Sequence, residues 1–592
     1  MFFLSVLRYT LLALVPVCSI LTAYLYLYPV FHLCAFPSSQ HNPTLEYVNT
    51  LKHHWRGTEP DLSRIAPFRL LALGDPQLEG ESSIPDADAA SFPNLSKFWK
   101  DALLLDGTKH NPLQRLRHSL HDLVDFYLDD VPKALEVYRK RLDHIGNDYY
   151  LGHIYRTMHW WTDPTHVTVL GDLVGSQWID DDEFEERGWR YWNRVFKGGI
   201  IVSEELTSQP SEDFQDIKVL GEDAPAWKKR ILNVAGNHDV GYAGDLSPER
   251  VARFTRVFGK TNYELRFQLP VDSNNVIVEG GEAEKRPIPE LRIVVLNDMN
   301  LDTPVGSQEM QDDTYDFLNK VITSSHDVER AASFTIVLTH IPMHKEAGIC
   351  VDGPFFDFFN GDFGNGVKEQ NHLSLDASKG FLEGIFGKNG NPDVSGGGYG
   401  RNGVILTGHD HEGCNVYHYM NQSDPTRQWE ATTWPKALAA GIVDAYRIPG
   451  LREITVQSMM GGFAGNAGLM SLWFDEATWE WQFEFANCGL GTQHIWWLVH
   501  ILDLIALGIG LVYGGISLYL HVTANTDSAS KPENVGNGKA KASKDGKAVQ
   551  NGEARAKTNV SDTAGTPEVP LTGNRSLRTE LSMMSLDSGR RL

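Results

Sequence analysis

An α/β domain held between two apolar helices, one near each end of the chain, is the architecture that the sequence predicts. Three observations carry this expectation. Six short runs of β-branched and leucine residues each lead into a polar side chain capable of chemistry, residues 113–158 place apolar side chains at helical spacing, and two long stretches are almost free of charge.

The first uncharged stretch covers residues 9–36, which contain no Asp, Glu, Lys or Arg. About 20 such residues cross a bilayer core as a helix. A cleaved signal peptide would have an apolar region of about 7–15 residues followed by small side chains. Here the far end carries Tyr24, Tyr26, Tyr28 and Phe31, so an uncleaved membrane helix is expected after a short cytoplasmic segment, 1–8. A second membrane helix is expected over 495–522, where Trp496 and Trp497 open an aromatic belt. Asp503 lies near its edge and reads as a side chain within reach of interfacial water.

Residues 523–592 hold 11 Lys and Arg against 8 Asp and Glu and are rich in Ser, Gly and Asn. Such a tail lacks the apolar surface to fold. The formal charge of the whole chain is −23, so the acidic excess belongs to the middle, while both ends carry a positive one. That distribution points to cytoplasmic termini and a lumenal or extracellular domain over 37–494. Sequons at Asn94 and Asn421 agree with this side, although Asn559 and Asn574 open others in the tail. The acidic balance also lacks the electrostatic footprint of a nucleic-acid binder. Of five cysteines none forms a CxxC pair, which argues against a thiolate zinc knuckle. Cys18 lies in the first apolar run and Cys34 near its end. A disulfide is therefore expected among Cys350, Cys414 and Cys488, with the pair left open.

Between the apolar ends, the six runs follow in order. Residues 68–74 lead into Asp75, 166–171 into Asp172, and 230–235 into Gly236, Asn237, His238 and Asp239. Residues 291–296 precede Asn297 and Asp298, 334–339 meet His340, and 403–407 meet Gly408, His409, Asp410 and His411. Near-continuous apolar runs of this length read as buried strands. Open α/β sheets place their sites at the C-terminal ends of such strands. Between Asp75 and Asp172 a helical insertion is expected over 80–165. Trp160, Trp161, Trp178, Trp189 and Trp192 near the second run are expected to pack in the core, and the glycine-rich stretch 387–402 to form a flexible loop.

Asp75, Gln77, Asp172, Asn237, His340, His409 and His411 supply hard oxygens mixed with imidazole. That set suits Mn²⁺, Fe²⁺ or Zn²⁺ bound without thiolate, and is large enough for two cations sharing Asp172. Two cations about 3.5–4 Å apart activate water and clamp a phosphoryl group. His238 is the expected acid for the leaving group. Asp239 either orients that imidazole in catalysis or points into a turn, and Asp410 is a candidate partner of the ligands flanking it. His144, His153, His159 and His344 read as surface or structural groups, and His372 as a candidate pocket residue.

The runs Gly74-Asp-Pro-Gln77, Gly171-Asp172, Gly236-Asn-His-Asp239, Thr339-His340 and Gly408-His-Asp-His411 resemble, in order, the signature of calcineurin-like metallophosphoesterases over roughly residues 68–470. The run Asp-Pro-Gln-Leu-Glu-Gly at 75–80, with an anchor at each end, is similar to the fungal endoplasmic-reticulum phosphodiesterases that remodel GPI anchors, relatives of the mammalian GPI-glycan ethanolamine-phosphate phosphodiesterase. The resemblance implies a two-sheet β-sandwich flanked by helices. It implies a binuclear, manganese-dependent phosphodiesterase that removes ethanolamine phosphate from a mannose of the GPI glycan. It places the protein in the membrane of the endoplasmic reticulum or early Golgi, with a GPI-anchored protein or GPI glycolipid as substrate. It assigns Asp75, Gln77, Asp172 and His411 to one metal, and Asp172, Asn237, His340 and His409 to the other. Gln77 departs from the usual His, and its neutral amide is a weaker ligand. The absence after Asp172 of the Asp-Arg-Gly that protein Ser/Thr phosphatases carry, and Gly175 where purple acid phosphatases carry Tyr, disfavour those two activities. Alternatives are a phosphomonoesterase, a phospholipid diesterase, or a metal-poor pseudoenzyme acting as a cargo or transporter scaffold.

Overall fold

The computed structural model describes residues 2–39, 42–56, 66–102, 112–208, 218–271, 276–279, 282–329, 331–361, 363–421, 428–443, 445 and 448–529. The chain divides into two units, Met1–His521 and Val522–Leu592. Of the second, only the helical residues through Ala529 are described, and the tail expected to be disordered otherwise lies outside the described residues.

All six apolar runs form strands: β1 (Phe68–Leu73), β2 (His166–Val169), β3 (Arg230–Asn233), β4 (Glu290–Val295), β5 (Ser333–Leu338) and β6 (Asn402–Thr407). They belong to two sheets. In the six-stranded sheet the order is Glu480–Gly489, Asn466–Asp475, β1, β2, β3, Ile200–Ile201. In the eight-stranded sheet it is Trp429–Thr433, Cys414–Met420, Gly450–Thr455, β6, β5, β4, Tyr263–Gln268, Lys218–Val219. Strands β1, β2 and β3 run parallel to one another, as do β4, β5 and β6. Each sheet thus delivers three loops from strand C-terminal ends, which is how residues far apart in the chain reach one place.

Side-chain alternation sorts the core into layers. Phe68, Leu70 and Ala72 of β1 share one apolar cluster with Leu291, Ile293 and Val295 of β4 and Phe334, Ile336 and Leu338 of β5. The two sheets therefore pack face to face. Leu71 and Leu73, and across the other sheet Val294 and Val337, point outward into a second cluster with the helices. The protein is a mixed α/β fold of two packed sheets with helices outside them.

Four helices frame this domain: α1 (Phe2–Tyr26), α2 (Pro112–Asp125), α3 (Val131–Thr162) and α4 (Gln493–Ala529). Both α1 and α4 are long and apolar enough to cross a membrane. The bounds differ from the expected ones. Helix α1 begins at Phe2, so Arg8 lies within it, and it stops at Tyr26, where Pro29 is met in the next short helix, Tyr28–Phe31. Helix α4 continues past residue 522 to Ala529. Asp503 is half-buried, and Thr22 Oγ1 of α1 donates to its Oδ2 at 2.8 Å.

One disulfide falls among the three cysteines named for it, and a second draws in Cys34 from the end of the first apolar run. Cys34 pairs with Cys488 and Cys350 with Cys414. The reason is topological, since the hairpin Asn466–Asp475 and Glu480–Gly489 carries Cys488 back to the segment following α1. The expected insertion is helical, with α2 and α3 joined through a π-helical turn, Phe126–Asp130. The tryptophans divide. Trp161 is buried, whereas Trp160, Trp178 and Trp189 are more than half exposed, so packing does not account for all five. Residues 387–402 form a bonded loop rather than a loose one. Gly390 N–H donates to Gly398 C=O, Arg401 N–H to Phe386 C=O, and Lys388 Nζ to Tyr399 C=O.

Candidate metal centre

The loops after β1, β2, β3, β5 and β6 meet where the two sheets come together. Their backbones are unusual. Asp75 (φ 40°), Gln77 (φ 41°), Asp172 (φ 50°) and His409 (φ 72°) all occupy the left-handed region, which costs free energy for side chains other than glycine and is concentrated at functional sites. Neighbouring glycines admit the close approach. At Gly171 (φ +96°) an added Cβ would lie 2.1 Å from His340 Nδ1, and at Gly236 it would lie 2.2 Å from the Asp172 amide.

Two groups of potential ligands result, and they share Asp172. Asp172, His340 and His409 form one, while Asp75, Asp172 and His411 form the other, with the ligand atoms of each group within 4.8 Å of one another. Asn237 joins the first group, since its Oδ1 lies 3.0 Å from His340 Nε2 and 3.0 Å from His409 Nδ1. Gln77 joins the second, with its amide nitrogen 3.0 Å from Asp172 Oδ2 and 3.2 Å from His411 Nε2.

The hydrogen-bonding logic tests whether these donors fit a cation. His340 Nδ1 lies 2.7 Å from the Leu170 carbonyl, and His409 Nε2 lies 2.9 Å from that of Gln370. A carbonyl accepts only, so each of these nitrogens carries the proton, and the other nitrogen of each neutral ring presents a lone pair. Those lone pairs converge on Asn237 Oδ1, with Asp172 Oδ1 3.4 Å from His340 Nε2. Acceptors facing acceptors repel unless a cation lies among them. Asp75 adds a buried Oδ2 without a hydrogen-bond partner. The residues fit a divalent cation, and Gln77 would serve as ligand through its amide oxygen once the amide is turned over.

Charge within the cluster is arranged accordingly. Burial pushes Asp75 well above the usual carboxylate range, and the Asp172 carboxylate beside it adds to that. Burial also works against the charge of Asp172, but His238, His340 and His409 outweigh it and hold the group down at about 2. Burial lowers His340 and His411, and lowers His409 to about 3. The imidazoles are thus neutral at physiological pH, the form that ligates a metal.

His238 takes its own position. Its backbone N–H donates to Asp172 Oδ1 at 2.9 Å, and its side chain, 36 % exposed, faces the cluster with Nε2 3.8 Å from Asp172 Oδ2. Asp239 does not orient that ring. Its two oxygens accept from Val174 N–H and Gly236 N–H, each at 2.9 Å, and His238 Nδ1 has no hydrogen-bond partner. Of the two roles weighed for Asp239, the turn is the one the geometry provides. Asp410 lies buried between the last two ligands, where its Oδ1 accepts from Glu412 N–H. His372 is buried too, with burial and Lys345 lowering it to about 3. His144 pairs with Glu79, and His159 Nε2 meets the Lys228 carbonyl.

Several supporting residues escaped the sequence reading. The Gln370 carbonyl orients His409, and the Ser458 hydroxyl donates to the Asp75 carbonyl. Asp298, noted only as a strand end, accepts from the Ile341 N–H and so holds the loop bearing His340. Glu453 accepts from Met343 N–H, from Lys345 Nζ at 3.0 Å and from His418 Nε2 at 2.7 Å, a buried network behind the same loop. Main-chain partners leave no residue-type signal, but Asp298 could have been found as an acid ending a buried strand.

A cleft of about 520 Å³ leads away from Gln77. Arg139, Lys140 and Asn147 of α3 line it, and it reaches Gln493, His494 and Trp497 at the start of α4.

No family model matches the chain. Two relatives do. An uncharacterized protein of Schizosaccharomyces pombe is 26 % identical over 357 residues, which is 57 % of this chain and 64 % of the relative. Protein TED1 of Saccharomyces cerevisiae is 31 % identical over 543 residues, covering 82 % of this chain and 93 % of the relative. By the extent of that match, the chain belongs to the family of Saccharomyces cerevisiae Protein TED1.

Proposed function

We propose that the protein is a membrane-anchored, two-metal phosphodiesterase of the calcineurin-like kind, acting on the GPI glycan in the endoplasmic reticulum. The observation that carries this reading is the pair of ligand groups joined through Asp172, with the lone pairs of His340 and His409 turned toward a common point. Divalent cations held there, manganese by resemblance, would supply the charge that activates water near neutral pH and offsets the negative charge of phosphoryl transfer. Asp75, Gln77 and His411 would hold one, Asn237, His340 and His409 the other, with Asp172 between them.

The chain's own residues account for the remaining steps. The carbonyls of Leu170 and Gln370 keep each imidazole in the ligating tautomer. His238, anchored through its amide on Asp172 and partly exposed beside the ligand cluster, would give its proton to the departing alkoxide. Removing such an acid costs about 10²–10⁴-fold. The cleft running toward the start of α4 supports a substrate borne by the membrane. Two disulfides support a lumenal domain, because such bonds persist in oxidising compartments.

The test is direct. Cells carrying His238→Ala should retain ethanolamine phosphate on the GPI glycan, and the purified full-length variant should keep its metal while losing turnover of chromogenic diesters. Unchanged glycans would remove this substrate, and a preference for monoesters would favour a phosphomonoesterase. A scaffold reading rests on Gln77, whose neutral amide stands where the resemblance has a His and is a weaker ligand. Fewer than one cation per purified chain would support it.

A further inference from the structure

Helix α3 keeps an apolar stripe in the open. Leu128 in the turn before it, then Leu135, Tyr138, Leu142, Ile145 and Tyr149, are exposed by 75, 65, 47, 61, 44 and 47 %. From Leu135 onward they recur every three or four residues, the spacing of one helix face. A soluble domain rarely leaves such a contiguous face uncovered.

What adjoins the stripe identifies its occupant. A Cβ at Gly146 would overlap the Trp497 ring of α4, Tyr150 donates its hydroxyl to the Gly491 carbonyl at 2.6 Å, and the His153 ring stands edge-on to Tyr26 of α1 at 4.7 Å. Gly146, Tyr150 and His153 flank the stripe on the same helix. The helix that bears the stripe therefore touches the ends of two helices whose most apolar windows are only 6 and 11 % buried. The opposite side of α3 is polar, with Lys133 paired to Asp129, Arg139 to Glu136 and Asp143, and Arg141 to Glu81.

We propose that α3 lies in the surface of the bilayer that α1 and α4 cross, its apolar stripe among the acyl chains and its polar side turned away from them. A helix of this kind buries its apolar face about 5–10 Å into the boundary region. The inference rests on α1 and α4 spanning a bilayer and not on the proposed hydrolysis.

The full-length chain with Cys18→Ala, reconstituted in phosphatidylcholine vesicles, carries an environment-sensitive fluorophore at Leu142→Cys or Tyr138→Cys. Glu136→Cys on the polar side and Leu511→Cys within α4 serve as references. Lipids brominated near the headgroup should remove about half or more of the emission at positions 138 and 142, as expected for shallow insertion. Aqueous iodide should quench only position 136. Iodide quenching of 138 and 142 to the level of 136 would overturn the proposal. So would protection of these positions in native membranes alone, which indicates a protein partner. Absence of lipid quenching at 511 would remove the bilayer itself.

Discussion

Near the metal centre, Asp75, Asp172, Asp239 and Asp410 are closed off from solvent, whereas along α3 Leu135, Tyr138 and Leu142 stand out in it. The two regions depart from ordinary burial in opposite senses. Buried acids and exposed apolar faces are the departures that carry information, since scattered exposed leucines are commonplace. The first region could hold a metal ion, and the second is the face proposed above to meet hydrocarbon. The difference also shows in the backbone, where left-handed residues cluster in the ligand loops while the stripe sits on regular helix.

The contrast can be broken most severely at Asp172. Asp172→Asn should abolish retention of both cations and lower diesterase turnover by at least about 100-fold, the scale on which loss of an outer partner alone is felt. Metal analysis and diester kinetics on the purified chain check this, and chelation of the unmodified protein should lower its melting temperature in the same sense.

The next largest effect falls where a buried acid is already neutralised. Lys345 and Glu453 are 1 and 0 % exposed and paired, so Lys345→Met should destabilise the fold by about 3–5 kcal/mol through the stranded carboxylate. Thermal melts in detergent read it. Unlike Asp172→Asn, this change should become tolerable when Glu453 is replaced together with it.

A smaller effect concerns acid. His166 is buried against Phe68, Trp227 and Phe267, and burial, with Arg69 and Arg230, lowers it to about 3. The folded ring stays neutral while the unfolded one gains a proton below its ordinary value of about 6.5, so this contribution to stability is lost as pH falls from there toward 3. His166→Phe should flatten that loss, seen by comparing melts at about pH 5 and about pH 7. The smallest effect belongs to the stripe. Leu142→Ser and Tyr138→Ser should change stability in detergent by no more than about 0.5 kcal/mol, because both side chains are largely exposed.

The six strands were legible because each is a compact apolar run with chemistry at one end, and the seven metal-ligand candidates followed from reading those ends together. Their meeting in space depends on parallel β1–β3 and β4–β6, which the runs imply. Asp239 could not be assigned from its position, since a residue beside His238 can serve the ring or the turn, and only the amides of Val174 and Gly236 decide. The pairing of Cys34 with Cys488 depends on a hairpin that doubles the chain back, a long-range fact with no local signature. Periodicity located α2 and α3, but amphipathic text says only that one face is apolar. It does not say whether the protein covers that face.

Cys34 lies just beyond α1 and Cys488 just before α4, with a sequence separation of 454. Their bond closes almost the entire domain into a covalent ring from which the two apolar helices leave side by side. A protease that nicked the ring at one peptide would release neither fragment, because both would remain stapled together at the same doorway. Freeing one half from the other would take a reductant as well as a cut.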